Sequence, residues 1–377
     1  MTDRMSLRER ALAAIKHQPV DRIPFFDISV DKTVAEAIAG GRDKLLTNPK
    51  TAELLNCSSP LKKSLGSALL ECDISRLLWR HNINWWGCMG LFASSDGPHS
   101  YLLNPEQKHL GASADGAIKT IKDIDAIEFV KKDDAFWENA KVFVDNKSDF
   151  AAGAMLWLGI DPVWHSMGYE TFATTLLVDH KVVEHFMDRV TDWLAEAAIR
   201  LNDIGFDFIW AADDIAFKTQ PFFSPALYRE HLLPYTMKVA KEIKLPWIYH
   251  SDGNLLPLLD DLLSQGMDAI HPLEPGAMDI DELKRRWGDK ITLVGNIDLN
   301  TLSLGTPEQT RQEVKDRICR LGPGYGYILS SGNSISDYCK PENVLAMVNT
   351  IKELGHYPLH IKKKEHARTQ MQGVQAG

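Results

Sequence analysis

Short apolar runs alternate with helix-like stretches along most of the chain. The alternation is clearest over 246–275, where one apolar run ends at the polar cluster 250–252. Apolar residues then recur at helical spacing over 255–263, and a second apolar run ends at Glu274. This pattern predicts a strand, a helix and a second strand, with polar side chains at the carboxyl end of each strand.

The same unit recurs over most of the sequence and indicates the fold class. The first strand-like run covers 21–27, and a second is predicted at the end of a helix over 68–78. From residue 133 onward, helices and strands follow one another regularly. Strands separated by helices form parallel sheets, and about eight of them predict an α/β protein of the (βα)8 barrel type.

The barrel pattern extends over 1–361, which we interpret as a single domain. Within it, the stretch 79–130 contains aromatic residues, turn residues and short extended runs, and we predict an antiparallel insertion over the barrel mouth. Ser6 and Glu9 have the spacing of a capping box, which predicts a helix near the N-terminus. The last residues, 362–377, are polar and predict a disordered tail.

Composition and charge exclude several classes of protein. A formal net charge of -9 and the lack of a basic run in the folded part argue against nucleic-acid binding. Five cysteines without Cys-x-x-Cys spacing argue against a disulfide framework and for a reducing compartment. The N-terminus lacks an apolar signal core, and no run of about 18 apolar residues is present. We therefore expect a cytoplasmic protein without membrane spans; its oligomeric state stays open, with a homodimer as one alternative.

The carboxyl ends of the predicted strands carry the residues with catalytic chemistry, because (βα)8 barrels form their active sites at that rim. These candidates are Asp27, Asp213, Asp214, His250, Asp252, Glu274, Asn296, Asp298 and Asn333. Three nitrogen and oxygen ligands with one open position are typical of catalytic zinc sites. The sequence therefore predicts a metal site formed by His250, Asp252 and Glu274. Without metal, His250 and Asp252 would act as a general acid pair.

Most of these candidates also have a structural interpretation. Asp213 and Asp214 have the position of helix caps, and 252–254 is also typical of a turn before a helix. His271, which precedes a proline, is more typical of a hydrogen-bonded structural histidine than of a ligand. Asn333 lies in a Ser-Gly-Asn-Ser stretch, a composition that is typical of loops.

Four segments of the chain resemble the uroporphyrinogen decarboxylase superfamily. They cover 20–24, 224–235, 273–290 and 322–344. Because these segments are spread over nearly the whole chain, the resemblance implies the superfamily's (βα)8 barrel. It also implies one of two chemistries, which are cofactor-free decarboxylation of porphyrinogens and corrinoid-dependent methyl transfer.

The first predicted strand argues against the decarboxylase branch. True decarboxylases of this superfamily carry an arginine-rich motif after that strand, and it holds the carboxylates of the substrate. This chain has Asp27 and Asp31 there, and no arginine over 25–31. A substrate with eight carboxylates would be poorly stabilised without that clamp.

The resemblance to the corrinoid-dependent branch implies a metal site with altered ligands. Those relatives hold zinc through a His-x-Cys pair, often a Glu, and a Cys after the last strand. Here His250 and Glu274 match, Asp252 replaces the first Cys, and Asn333 stands near the expected final Cys. Nitrogen and oxygen ligands are less suited to a thiol and could instead polarise an ether oxygen.

We therefore expect a methyltransferase of the O-demethylase type. It would move a methyl group from a small methoxylated, aromatic substrate to the Co(I) corrinoid of a partner protein, with zinc or an acid assisting the leaving group. The expected catalytic residues are His250, Asp252 and Asp214. The expected substrate-binding residues are Trp85, Trp86, Trp164, Trp210, Lys218, Asp27 and Asn333.

Two further expectations concern the substrate and the competing functions. Lys218 or Arg22 could pair with a carboxylate of the substrate. A cofactor-free decarboxylase of the uroporphyrinogen type is the alternative function, and a non-catalytic binding barrel is a third hypothesis.

Overall fold

A curved sheet of parallel strands forms the centre of the structure, a computed structural model that describes residues 4–95, 97–104 and 115–360. The central strands are β1 (Asn82–Trp85), β4 (Ala151–Trp157), β5 (Phe208–Ala212), β6 (Trp247–His250), β7 (Ala269–His271), β8 (Thr292–Ile297) and β9 (Tyr327–Ser331). They pair in that order, and each neighbouring pair is parallel. A separate antiparallel hairpin contains β2 (Phe92–Ser94) and β3 (Gly97–His99).

Helices connect the strands and form the outer layer. In chain order they are α1 (Leu7–Ile15), α2 (Lys32–Ala39), α3 (Arg42–Leu45), α4 (Thr51–Asn56), α5 (Pro60–Leu78), α6 (Ile121–Asp125), α7 (Asp134–Asp145), α8 (Ile160–Met167), α9 (Tyr169–Val178), α10 (His180–Ile204), α11 (Pro225–Leu227), α12 (Leu233–Ala240), α13 (Leu259–Leu263), α14 (Ile280–Trp287), α15 (Leu299–Ser303), α16 (Pro307–Leu321) and α17 (Pro341–Leu354). A π-helical turn (Tyr228–Leu232) joins α11 to α12, and short 3-10 turns cover Gly87–Met89 and Leu256–Leu258. Among the described helices, none has both the length and the apolar composition that a membrane crossing requires.

An extended segment, 24–31, closes the sheet into a barrel. On one side, Phe26 N donates to Leu329 O at 2.9 Å, and Leu329 N donates to Pro24 O at 3.0 Å. On the other side, His81 N donates to Phe25 O, and the amide side chains of Asn82 and Asn84 donate to backbone carbonyls of the segment. The predicted first strand therefore forms the eighth strand position of the barrel, and the predicted (βα)8 barrel is confirmed.

Alternating side chains along each strand separate two cores. Ile209 and Ala211 on β5 face the helices, whereas Phe208 and Trp210 face the barrel interior. Gly153 on β4 leaves room for an interior ring, because a Cβ there would lie 2.5 Å from the Phe208 ring. The same alternation directs the polar residues at the strand ends into the barrel.

Helix α1 closes the amino-terminal end of the barrel. Its capping box is formed, since the Ser6 hydroxyl accepts from Glu9 N and the Glu9 carboxylate accepts from Ser6 N. Ala11 and Ile15 on this helix belong to the same buried cluster as the interior side chains of the strands. The opposite, carboxyl-terminal rim is thereby left as the end where a site can be open to solvent.

Two sequence predictions about the region before residue 130 were wrong in their boundaries. Residues 68–78 are entirely helical, as part of α5, and the strand follows only at β1. That strand lies inside the range 79–130 predicted as an insertion, so the inserted antiparallel part starts after it. Residues 96 and 105–114 of the predicted insertion, and the predicted tail 362–377, lie outside the described residues.

Arg10 provides a test of how the closed end is stabilised. This arginine is completely buried on α1 and donates to both oxygens of Asp21 at 2.6 and 2.9 Å. Removing one partner of a buried ion pair leaves an uncompensated charge, so Arg10→Met should lower the free energy of unfolding by about 3 kcal/mol. Urea unfolding measures the change. The exposed Arg42 on α3 serves as control, because Arg42→Met should change stability by less than about 0.5 kcal/mol. Equal effects of the two substitutions would contradict this account.

Candidate active site

Three of the predicted residues converge at the carboxyl-terminal rim. Asp214 follows β5, His250 ends β6, and Asp252 lies two residues further on. One ligand atom of each residue lies within 4.8 Å of the other two. Asp252 N donates to Asp214 Oδ1 at 2.9 Å, and His250 Nε2 is 3.9 Å from the same oxygen. We call Asp214, His250 and Asp252 the rim cluster.

The carboxylate of Asp252 is held from one side only. Asn333, in the loop after β9, donates its Nδ2 to Asp252 Oδ2 at 2.7 Å. The other oxygen, Oδ1, is buried and has no hydrogen-bond partner among the described residues. Burial, followed by the charges of Asp214 and Glu274, raises the pKa of Asp252 to about 6, although His250 opposes the shift. Asp252 therefore has a free acceptor atom and can exchange a proton near neutral pH.

A chain of hydrogen bonds orients the imidazole of His250. Its Nδ1 lies 2.7 Å from Nδ1 of His271, and His271 Nε2 lies 3.2 Å from Ser330 Oγ. His271 is fully buried, and burial together with the neighbouring His250 lowers its pKa well below the usual range, so the ring is neutral. If His271 donates to Ser330, it must accept from His250 Nδ1, and His250 Nε2 is then the ring nitrogen that faces Asp214. The structural interpretation of His271 is confirmed, and its partner is the central candidate residue.

Glu274 borders the rim cluster without belonging to it. Its Oε2 accepts from Gly253 N at 2.7 Å, and its Oε1 lies 3.1 Å from Nζ of Lys218. Gly253 has a φ of +89°, and a Cβ there would lie 2.4 Å from Ala216 O, so glycine is required at this turn. The structure thus groups Asp214, rather than Glu274, with the two predicted ligands His250 and Asp252.

An open cavity of about 410 Å³ adjoins Asp252. It is lined by Lys218, Asp252, Glu274, Pro275, Asp298, Leu299, Asn300, Gly332, Asn333, Ser336 and Tyr338. Of these residues three are carboxylates and one is a cation, and that cation, Lys218, already pairs with Glu274. The cavity is therefore suited to neutral or cationic groups more than to anions.

The predicted tryptophans lie in three different places. Trp85 and Trp86 line a separate cavity of about 340 Å³ beside α5 and α7. Trp210 is buried inside the barrel, where its ring lies edge-on to His271 with centroids 5.0 Å apart. Trp164 donates its Nε1 to the backbone oxygen of Asp214 at 3.0 Å. Among the described residues that line the cavity at Asp252, none is a tryptophan.

The two neighbouring aspartates after β5 have different environments because they point in opposite directions. The carboxylate of Asp213 faces outward and accepts from the N–H groups of Gly159, Ile160 and Asp161 at the start of α8. The capping interpretation therefore holds for Asp213, although the capped helix precedes β5 instead of following it. The carboxylate of Asp214 instead faces His250 and Asp252, the other two residues of the rim cluster.

Sequence analysis missed Asp161, which supports the rim cluster from α8. It is buried, and its Oδ2 accepts from Asp214 N at 3.0 Å. Burial, followed by the charges of Asp214 and Asp213, raises its pKa well above the ordinary aspartate value. His165 Nε2 lies 3.3 Å from its other oxygen. The available signal was a carboxylate three residues after the apolar run 151–158.

Three other candidates lie away from the cavity lining. Asp27 is fully buried, and Ser331 N donates to its Oδ2 at 3.3 Å. Asn296 is also buried and donates to Leu273 O at 2.8 Å. Arg22 is buried, with its guanidinium over the Trp79 ring at 4.4 Å, so it does not face the cavity.

The buried carboxyl of Asp27 predicts a pH dependence of stability. Burial raises its pKa to about 7, against the opposing effects of Arg80 and Ser331. Between about pH 4 and pH 7 the folded chain holds a proton that the unfolded chain releases, so this group lowers stability as the pH rises. Asp27→Asn should therefore gain stability relative to the wild type between pH 5 and pH 8, as measured by urea unfolding.

Asp31 is the matched control for that measurement. Its side chain accepts from Thr33, and this hydrogen bond holds its pKa below the ordinary value. Asp31→Asn should change stability by the same amount at pH 5 and pH 8, because Asp31 is ionised at both. A pH-independent difference for Asp27→Asn as well would show that Asp27 does not titrate in this range.

The fold and the rim site define an α/β barrel with polar residues at its carboxyl-terminal end, and comparison with known families agrees. The sequence profile of the family described as "Uroporphyrinogen decarboxylase (URO-D)" matches residues 164–354, just over half of the chain. The chain therefore belongs to the uroporphyrinogen decarboxylase family. The match contains β5 to β9 and the whole rim cluster.

Individual relatives are more distant. The chain is 28% identical over 199 residues to uroporphyrinogen decarboxylase of Shewanella pealeana, covering 50% of this chain and 51% of that protein. It is 32% identical over 140 residues to the Pseudoalteromonas translucida enzyme of the same name, covering 34% and 38%. The chain thus spans about half the length, or less, of these curated relatives.

A solved structure extends the likeness of the fold to nearly the whole chain. A methyltransferase from Methanosarcina mazei superposes with a TM-score of 0.65 at 18% sequence identity. The superposition covers 93% of this chain and 99% of that protein. At this identity the likeness establishes the fold.

Proposed function

We propose that the protein is a methyltransferase that takes a methyl group from a small methoxylated, aromatic compound and transfers it to the Co(I) corrinoid of a partner protein. The observation that supports the proposal best is the rim cluster beside an open cavity, with Asp252 carrying an unpaired oxygen. The printed name of the Methanosarcina mazei structure, a methyltransferase, is consistent with it.

The chemical requirement is a better leaving group. An ether oxygen leaves poorly as an alkoxide or phenoxide unless it receives a proton or a Lewis acid while the methyl group is attacked. Asp252, with its pKa of about 6, is protonated in a minor fraction of molecules at neutral pH, and that fraction can donate such a proton. Positioned acid catalysis contributes about 10²- to 10⁴-fold to a rate.

The rim cluster also fits a zinc ion. It offers one imidazole nitrogen and two carboxylates, a donor set that zinc accepts, and Asp252 Oδ1 has no hydrogen-bond partner in the described part of the chain. The hydrogen bond between His250 and His271 can leave His250 Nε2 as a ligand atom. When bound, zinc would supply Lewis-acid activation of the ether oxygen. Asp214, His250 and Asp252 are the proposed ligands, and Glu274 would position Gly253 and Lys218.

The charges of the cavity favour a substrate without a carboxylate. Asp252, Glu274 and Asp298 line it, and Lys218 is engaged by Glu274. An added carboxylate would face Asp252 and Asp298, at a cost that increases as water is excluded. We therefore revise the expectation that Lys218 pairs with a carboxylate, and propose a neutral methoxyphenol as the substrate class. Tyr338, which is 56% exposed at the cavity, would pack against its ring.

The partner that carries the corrinoid would bind at the same rim. The corrinoid supplies the methyl acceptor when its carrier is docked there. Phe217 is 47% exposed and its backbone oxygen accepts from Asn254 N beside the rim cluster, and Tyr338 is exposed on the other side of the cavity. These aromatic side chains are suited to contact a docked protein surface.

Decarboxylation of a porphyrinogen remains the second candidate, and the family profile and the names of the curated relatives favour it. The acidic cavity and the absence of arginine among the described residues that line it argue against a substrate with many carboxylates. Formation of coproporphyrinogen from uroporphyrinogen by the purified protein would decide for this alternative.

Methyl transfer to free cob(I)alamin tests the first proposal. The purified protein should form methylcobalamin, which visible absorption follows, from 2-methoxyphenol at a kcat/KM about tenfold or more above that for a methoxybenzoate. His250→Ala should lower kcat/KM by at least about 100-fold. No turnover with any methoxylated donor would remove the proposal, and a preference for the benzoate would contradict the argument from charge.

Metal analysis tests the ligands of the rim cluster. We expect His250→Ala, Asp252→Ala and Asp214→Ala each to abolish zinc binding at this site, and Glu274→Ala to retain it. Loss of zinc in Glu274→Ala with retention in Asp214→Ala would favour the ligand set predicted from the sequence. Isothermal titration gives the stoichiometry and affinity of each variant.

Zinc affinity at the rim cluster should also depend on pH. The pKa of Asp252 is about 6, and a ligand carboxyl must lose its proton before it binds the metal. Below about pH 6 the affinity should therefore fall about tenfold per pH unit through this group alone. An affinity that stays constant between pH 5 and pH 7 would argue that Asp252 is not a ligand.

A further inference from the structure

A second group of metal-binding side chains lies in the outer layer and shares no residue with the rim cluster. His180 and Glu184 are one turn apart at the start of α10, and His231 belongs to the π-helical turn between α11 and α12. One nitrogen or oxygen atom from each of the three lies within 4.8 Å of the other two. We call these three residues the helix-seam cluster.

The contacts within the cluster are close and partly buried. His231 Nδ1 lies 2.9 Å from Glu184 Oε1, and only 8% of His231 is exposed. The rings of His180 and His231 stack with centroids 4.3 Å apart and an angle of 29°. A neutral imidazole has a lone pair that a metal can use.

The chain leaves regular helix geometry at the place where His231 enters the cluster. Residues Tyr228–Leu232 form a π-helical turn, and Pro234 follows within the first turn of α12. Proline has no N–H, so it cannot complete the α-helical hydrogen bond to Glu230 O, and the preceding turn can widen. Single π-helical turns within α-helices are often found at functional sites. Here the irregular turn holds His231 against α10.

We propose that His180, Glu184 and His231 bind a zinc ion that links α10 to the helix after β5. Two imidazole nitrogens and one carboxylate oxygen suit zinc better than Mg²⁺ or Ca²⁺, which prefer oxygen ligands. The glutamate and one histidine are spaced four residues apart on a single helix, which places both on one face. Glu230 Oε2 lies 3.8 Å from the other ring nitrogen of His231, Nε2, where it can help to orient the ring.

The position of this site gives it a structural consequence. α10 follows the β4 connection that carries Asp161, and the π-helical turn follows the β5 connection that carries Asp214. The connections after β4 and β5 position the rim cluster. A metal bound by both helices would link these two connections on the outside of the barrel. It would therefore stabilise the folded chain, and the stabilisation would increase with the logarithm of the free zinc concentration above Kd.

Zinc titration of the full-length protein separates this site from the rim cluster. The His250→Ala variant serves as background, so that the proposed rim site does not contribute. In this background we expect one zinc per chain by calorimetry and a rise in the thermal unfolding midpoint when zinc is added after EDTA treatment. Adding His180→Ala or His231→Ala should weaken that binding at least about 100-fold and remove the rise in the midpoint.

Two further variants separate loss of a zinc ligand from general effects on folding. His185→Ala is the control on the same helix, because His185 pairs with Asp125 at 2.8 Å and should leave zinc binding unchanged. Glu184→Gln keeps a side-chain oxygen that can accept from His231 but removes the ligand charge, so it should fold normally in EDTA and bind zinc more weakly. If the His250→Ala protein binds no zinc, the proposal is overturned. The cluster is then only a hydrogen-bonded pair, Glu184 and His231, with His180 stacked on His231. Equal zinc affinity in His180→Ala and His185→Ala would overturn it as well.

Discussion

The hydrogen bonds that hold residues 24–31 between β9 and β1 are the constraint on which the rest of the structure depends. They close a parallel sheet into a ring, so every strand ends at the same rim. Closure also fixes which side chains point inward. His250, His271 and Ser330 come from three different strands, yet they form one hydrogen-bonded chain because the ring brings their inward-facing positions together. An open sheet would not place these strands around a common interior.

Burial of charged groups at this rim gives the site its chemical character. Asp161 and Asp213 are buried, and both have raised pKa values because desolvation dominates. Asp213 accepts hydrogen bonds from three backbone N–H groups, and these only partly offset the rise in its pKa caused by desolvation. Carboxylates placed this close together are unfavourable unless a proton or a cation is shared among them. This repulsion between buried carboxylates favours both alternatives considered for the rim cluster, which are a bound metal and a retained proton.

Strand periodicity and the strand-end rule predicted His250, Asp252 and Asp214 as catalytic residues, and the structure places one ligand atom of each within 4.8 Å of the other two. The same reasoning grouped Glu274 with them, but its carboxylate is used by Gly253 and Lys218. The tryptophans could not be placed from the sequence. An aromatic residue in a strand looks the same in the sequence whether it faces the barrel interior, as Trp210 does, or an outer cavity, as Trp85 does.

The sequence by itself determined the alternation of strands and helices, the family and the rim at which the polar residues lie, because these follow from periodicity and from motifs local in the chain. Only the tertiary structure decided which carboxylate joins His250, which histidine supports it and where His231 meets His180. Those pairings join residues 21 to 51 positions apart, and they depend on the register between strands and on one irregular helical turn. Neither feature leaves a periodic trace in the sequence.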